Sequence, residues 1–176
     1  MKITPLSLSG VYLIEIEPFC DERGSFARQF CLKELAAYGI DFTIKQCNIS
    51  QNYKKGTLRG MHYQKEPYPE IKMVSCFQGS IYDVLVDLRK DSPTYLKWIA
   101  NELSAKNGKM VYVPSGIAHG FQTLEDNTVV YYQLGEFFMP EFYAGVRFDD
   151  PAFNIKWPAC NKLIINERDK NYALWK

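Results

Sequence analysis

The sequence predicts an all-β fold, an antiparallel sandwich or barrel, and three observations carry that expectation. Runs rich in Val, Ile, Tyr and Phe recur along the chain at strand length. Gly, Pro and Asn punctuate them at close spacing, as in sandwiches and small barrels. Only one internal stretch reads convincingly as helix. A small barrel of this kind can hold a ligand, because side chains alternate between lumen and surface.

The elements follow in order. "GVYLIEIEPF" (10–19) alternates as a strand and breaks at Pro18. "CLKELAAYG" (31–39) is the short helix, stopped by Gly39. "GTLRGMHYQ" (56–64) reads as a turn entering a strand. "IKMVSCFQGSIYDVLVDLRK" (71–90) reads as two strands joined through Gly79-Ser80, a hairpin-type dipeptide. "GKMVYVPSG" (108–116) is a strand that stops at Pro114. "GFQTLEDNTVVYYQLG" (120–135) reads as a further strand pair turning at Glu125-Asp126-Asn127. "NERDKNYALW" (166–175) holds a last helical turn or two. Alternation puts His62 and Gln64 on one face, Lys72, Val74 and Cys76 on a second, inward face, and Tyr132 and Leu134 on a third. It also puts Arg59 and His62 on opposite faces. Gly60, between them, could form a bulge that turns both toward one site. The pattern leaves both arrangements open.

Composition narrows the function. At 176 residues with no repeat or linker, the chain is expected to be one domain, 1–176. It is 47% hydrophobic and 15% aromatic, enough for a substantial core. Twenty-one basic residues nearly balance 20 acidic ones, which argues against a nucleic-acid or membrane-surface partner. No run is long and apolar enough to span a bilayer, and "MKITPLSLSG" lacks a signal peptide's apolar centre. The expectation is a cytoplasmic protein. Its five cysteines are odd in number and form no C-x-x-C pair, so reduced, buried thiols are expected. A metal site needs several converging donors. His62 and His119 are the only histidines, in no H-x-H pair and with no close carboxylate in sequence. A two-His-one-carboxylate set remains arithmetically possible, but proton transfer is the better-supported chemistry and no metal is expected.

Five segments then occur together: "GTLRGMHYQ", "IKMVSCFQGSIYDVLVDLRKDSPTY", "VYVPSGIAHGFQTLED", "VRFDDPAFNIKWP" and "NERD". In order and spacing the chain resembles the dTDP-4-dehydrorhamnose 3,5-epimerases and related enzymes of nucleotide-linked 4-keto-6-deoxy sugars, from "DERGSF" (21–26) onward. The resemblance implies a cupin-like antiparallel jelly roll with a few short helices, a homodimer, a nucleotide-sugar substrate and no cofactor. It implies epimerisation at C3, C5 or both, the two carbons flanking the C4 ketone. Inversion there needs a base on one face, an acid on the other and a group to steady the enolate oxygen.

The resemblance assigns those roles. His62 matches the base, and an unperturbed imidazole titrates near ~6.5, which suits proton abstraction. Asp169 matches the carboxylate that orients it, although Asn166 and Asp169 also read together as a helix cap with an acidic first turn. Lys72 matches the cation beside the ketone oxygen; the ordinary reading is a solvated strand-end lysine. Tyr132 matches the acid, with Tyr131 as a competing candidate. Arg59 and Arg23 match residues that hold the diphosphate, since a guanidinium binds phosphate oxygens in pairs. Phe26 matches an aromatic that stacks on the base from the partner subunit. His119 matches a second pocket histidine near the sugar or phosphate. Gln46 and Asn48 fall near polar pocket positions, although the segment 49–56 is about one residue longer than the family pattern. Asp83 is expected to be an inward carboxylate paired with Lys72 or a tyrosine. Two departures stand out. Phe138 replaces a usual Tyr, and Glu70 replaces a usual Gln two residues before Lys72, where it could pair with Lys72 or read sugar hydroxyls. Two other readings stay open: a catalytically silent sugar-nucleotide binding module, and a metal-dependent cupin oxygenase or isomerase.

Overall fold

The computed structural model describes residues 1–176, with strands β1 to β13 and helices α1 and α2 numbered along the chain. Two antiparallel sheets form a sandwich. The six-stranded sheet runs β1 (Lys2–Pro5), β2 (Tyr12–Glu15), β10 (Lys109–Val113), β7 (Lys72–Gln78), β12 (Thr128–Leu134) and β5 (Gln46–Asn52). The five-stranded sheet runs β13 (Tyr143–Gly145), β6 (Leu58–Gln64), β11 (Ile117–Thr123), β8 (Ser80–Asp87) and β9 (Trp98–Ser104). A separate two-stranded hairpin, β3 (Phe19–Asp21) with β4 (Gly24–Phe26), pairs with neither. This is the expected jelly roll.

Alternation explains the layers. In β8, Ile81 and Leu85 point between the sheets while Val84 and Val86 point outward. In β7, Val74 and Cys76 point inward and Met73 outward. The inner cluster joins these to Val111, Phe121 and Val130 from both sheets. Both outer faces are covered as well. Helix α1 (Leu32–Ala36) and the chain after it lay Leu35, Ile40 and Phe42 over Ile14, Met73 and Met110. Val146, Phe153 and Ile155 cover Met61, Val84 and Val86 on the other side. Burying an aliphatic or Phe side chain contributes about 1.5–3 kcal/mol, so these layers dominate stability. The helix ends as its Gly39 implied: Ile40 N–H bonds back to Leu35 O and Gly39 N–H to Ala36 O.

Four expectations are corrected. Gly79-Ser80 is not a hairpin turn, because β7 and β8 belong to different sheets. The 125–127 turn likewise carries the chain from β11 in one sheet to β12 in the other. The two strands pair with other partners instead: β7 with the sequence-distant β10 and β12, β8 with the next strand β9 and with β11. Tyr132 and Leu134 do not lie on a third face. They sit opposite Val74 and Lys72 in register and share their inner face. Cys76 is buried, and burial pushes its thiol up to about 11, but Cys20 and Cys47 are exposed; all five cysteines are free.

Candidate active site

A cavity of about 430 Å³ opens between the sheets, walled by β5, β7 and β12 on one side and by β6, β11 and β13 on the other, with helix α2 (Glu167–Lys170) at its rim. Its most consequential local feature is in β6. Here His62 pairs with His119 and Arg59 with Phe121, so three steps on β6 match two on β11. The extra residue is a bulge at Gly60-Met61. It resolves the conflict left by strict alternation: Arg59 and His62 both line the cavity. Gly60 has φ +133, and a Cβ on it would come within 2.5 Å of Gly120 Cα and 3.0 Å of His119 O. Only glycine fits that crossing.

The bulge also frees the Gly60 N–H to bond Asp169 Oδ2 at 3.1 Å, while His62 Nε2 donates to Asp169 Oδ1 at 2.8 Å. Asn166 caps α2, accepting from the Asp169 N–H at 2.7 Å. Both readings of "NERD" therefore describe one structure, in which the cap sets the backbone and the Asp169 side chain grips the imidazole. Burial alone would raise the Asp169 carboxyl, but the bonds from His62 and Gly60 outweigh it and hold it below its ordinary value. Burial is also the main influence on His62, and it lowers the imidazole. Asp169 pulls it back up, and the charges of Lys72 and Arg168 add to the lowering. The net result is a neutral ring at neutral pH. An ionised Asp169 only accepts, so Nε2 carries the proton and Nδ1, with no partner in the chain, is left as a base.

Across the cavity, Tyr132 is half-buried against the inner core and lies 6.0 Å, edge to face, from His119. Burial, followed by the charge of Asp83, lifts its phenol far above the ordinary range against the opposing pull of Arg59, so it keeps its proton. Tyr131 faces the other way and stacks on Phe77 at 4.7 Å, which removes it as a competitor. Lys72 Nζ lies 3.0 Å from Glu70 Oε2, with both side chains buried, and 3.5 Å from the His62 carbonyl. Lys72 is thus a wall of the cavity. Asp83 points inward as expected, but its partner is neither Lys72 nor a tyrosine. His119 Nε2 stands 2.5 Å from Asp83 Oδ2, because β8 and β11 are neighbours and face both side chains into the same gap.

The cavity mouth is polar and cationic. Arg59 Nε bonds Asn52 Oδ1 at 2.8 Å and takes part in no ion pair, which leaves its fork free. Gln46, Asn48 and Phe138 line the same opening, and Gln46 accepts from the Phe138 N–H at 3.0 Å. Arg23 and Phe26 stand outside the cavity of their own chain. Both lie on the exposed β3–β4 hairpin, where Arg23 pairs with Asp21 and Phe26 is 79% exposed. Tyr143 and Arg168 are among the lining residues that the sequence did not single out. Tyr143, on β13, packs 5.2 Å from the His62 ring; Arg168 lies over Tyr143 at 5.0 Å and reaches Asp169 at 3.5 Å. Tyr143 sits in a three-residue strand too short to show alternation, and Arg168 was present in "NERD" but was not separated from its neighbours. No group of three or more His, Cys, Asp and Glu side chains gathers where it could hold a metal ion.

The family model described as dTDP-4-dehydrorhamnose 3,5-epimerase matches residues 5–176. The chain belongs to that family. A family member from Sinorhizobium fredii, dTDP-4-dehydrorhamnose 3,5-epimerase, is 40% identical over 171 residues, 97% of this chain and 88% of its own length. The crystal structure of the Bacillus anthracis dTDP-4-dehydrorhamnose 3,5-epimerase with TDP and PPi bound superposes with a TM-score of 0.95 at 37% identity, covering 99% of each chain. That of a Legionella pneumophila dTDP-6-deoxy-D-glucose-3,5-epimerase in complex with dTDP-4-keto-L-rhamnose has a TM-score of 0.93 at 32% identity, covering 98% of this chain and 92% of the other. The family is one of isomerases. Its reaction type fits what the cavity offers: a neutral imidazole on one sheet, and on the facing one a protonated phenol with Lys72 on the neighbouring strand.

Proposed function

We propose that the chain epimerises a dTDP-linked 4-keto-6-deoxyhexose at C3 and C5 by proton transfer, with no cofactor. The observation that carries this is the placement of the neutral, Asp169-bound His62 and the protonated Tyr132 on facing sheets of one cavity. His62 Nδ1 takes the proton next to the ketone, and the C–H electron pair becomes the enolate. Lys72 steadies the oxygen that then carries the charge. Tyr132 gives its proton to the opposite face as the enolate collapses to the ketone, which inverts the centre. Solvent restores both groups. Asp169 keeps Nε2 protonated and stabilises the imidazolium. Arg59, joined by Arg168, receives the diphosphate at the mouth. His119, held by Asp83, and Gln46, Asn48 and Glu70 line the sugar and nucleotide path. The ligands held by the Bacillus and Legionella relatives support the substrate class.

The exposed hairpin supports a homodimer. Phe19 and Phe26 pair across it and are 72% and 79% exposed, with no cavity of their own chain in reach. In a dimer, Phe26 and Arg23 enter the partner's site. The reading takes 1–176 as one cytoplasmic domain; no helix is long and apolar enough to cross a membrane.

The reading is tested by incubating the protein with dTDP-4-keto-6-deoxyglucose in heavy water and locating the label by NMR. Deuterium at C3 and C5 is the expected result. Label at one carbon makes the protein a single-centre epimerase, a reading for which Phe138 at the cavity mouth gives a specific reason. Tight binding with no label makes it a silent binding module and ends the proposal.

A further inference from the structure

The chain after α2 does more than end the fold. Tyr172 lies edge-on to the His62 ring, with centroids 6.0 Å apart and planes at 74°. Behind Tyr172 stands Gly145, which is directly opposite His62 in the β13–β6 register. Gly145 has an ordinary backbone conformation, so nothing local requires glycine there. A Cβ on it would nevertheless fall against Cδ2, Cε2 and Cζ of Tyr172, closer than real Cβ atoms stand to any neighbour. The glycine makes room for the ring. Three residues on, Trp175 fastens the segment to the body of the fold. Its N–H donates to the buried Asp150 Oδ2 at 2.6 Å, its indole N–H to Tyr95 OH at 3.2 Å, and its ring packs 6.3 Å from Phe153. The Tyr172 hydroxyl makes no hydrogen bond within the chain, so what Tyr172 offers His62 is a surface.

We propose that Tyr172, seated on Gly145 and tied down by Trp175, is a positioning residue that fixes the plane of the His62 imidazole and so aims Nδ1 into the cavity. This rests on the reading of His62 as the base. Asp169 alone cannot do the job, because one hydrogen bond to Nε2 leaves the ring free to rotate about that bond. Tyr143 covers one side of the ring at 5.2 Å and 42°, and Tyr172 supplies the second contact. The charged and titratable groups around His62 are Asp169 and Arg168 from α2, Lys72 from β7, Tyr143 from β13 and Tyr172 itself. Of the others, only Tyr143 feels Tyr172, which adds to the burial that raises its phenol, and Tyr172→Phe carries that change without loss of the surface.

Four variants test it: Tyr172→Ala, Tyr172→Phe, Gly145→Ala, and Gly145→Ala with Tyr172→Ala. Tyr172→Ala is expected to lower kcat about tenfold with KM within about twofold, since a misaimed base costs rate and not binding. Tyr172→Phe keeps the surface and is expected to stay within about twofold of the parent kcat. Gly145→Ala displaces the ring and is expected to reproduce the Tyr172→Ala loss. The double variant is expected to be no worse than Tyr172→Ala alone, because the clash disappears with the ring. Nitrogen-15 NMR of the His62 ring in the free protein reads the same effect without turnover. The parent and Tyr172→Phe are expected to show a rigid ring protonated on Nε2, and Tyr172→Ala the same tautomer with exchange-broadened ring signals, because Asp169 still holds Nε2 while the ring swings. If no chain, the parent included, exchanges substrate protons, the reading of His62 fails while the ring signals still decide the role of Tyr172. Full kcat and an unchanged ring signal in Tyr172→Ala, a Tyr172→Phe variant as poor as Tyr172→Ala, or losses that multiply in the double variant would each overturn the proposal.

Discussion

His62 works through its environment. An imidazole with an ordinary value of 6.5 is pulled down by burial and pulled up by Asp169, and the lowering wins. As a base it is active when unprotonated, so kcat/KM should rise with pH through a value below that of free imidazole and then stay level. Asp169→Asn removes the group that raises His62, so the acid limb should move to lower pH. The plateau should fall about a hundredfold or more as the tautomer is lost. A pH–rate profile of the two proteins checks both, and an acid limb that moves upward contradicts the assignment. The chemistry-bearing residue types were legible because "GTLRGMHYQ" and "NERD" are short, ordered motifs. The local pair was legible as well: Glu70, two residues before Lys72, was a stated candidate partner for it and is one. The pairing of Asp83 was not. It was expected to meet Lys72 or a tyrosine, yet strand order gives it His119. Which groups meet across strands depends on which strands are neighbours, and local pattern carries no such information.

The bulge in β6 is the element on which the site depends. Without it, Arg59 and His62 would face opposite sides of the sheet. Gly60→Ala sets a Cβ against the Gly120 backbone at a φ that side chains rarely adopt. It is expected to destabilise the fold by about 3 kcal/mol or more, read as the shift of a urea unfolding midpoint, and to abolish activity. A loss below about 1 kcal/mol would mean that the β6–β11 crossing is looser than described. The sequence carried half of this feature: alternation exposed the conflict, and Gly60 marked where it could be relieved. It misled at Gly79-Ser80 and at 125–127, where turn residues that ordinarily close hairpins instead carry the chain across the sandwich. Edge strands were the other blind spot. β5 reads "QCNISQN", polar because one face looks into the cavity mouth and the other into solvent, so neither hydrophobic period appears.

At the scale of the whole molecule, the proposed mechanism makes the two sheets two walls that bring acid and base to opposite sides of one substrate. In the proposed homodimer, the exposed β3–β4 hairpin extends that logic beyond one chain. Sedimentation is expected to report twice the 20.4 kDa mass of the chain. Phe26→Ala is expected to raise KM with little change in kcat, since a stacking aromatic is worth about 1–3 kcal/mol of nucleotide binding. A monomer with full activity would remove the hairpin from the site. The overall architecture was legible because layer patterning is a property of the whole chain, whereas topology is set by contacts among strands far apart in sequence. The most direct measurement compares His62→Ala and Tyr132→Phe with the parent in heavy water, following both solvent label and configuration at C3 and C5. His62→Ala should take up no deuterium. Tyr132→Phe should still exchange through the intact base but return the label to the face it left, without inversion. Exchange that survives the loss of His62, or inversion that survives the loss of the Tyr132 hydroxyl, would show that the two walls do not divide the chemistry between them.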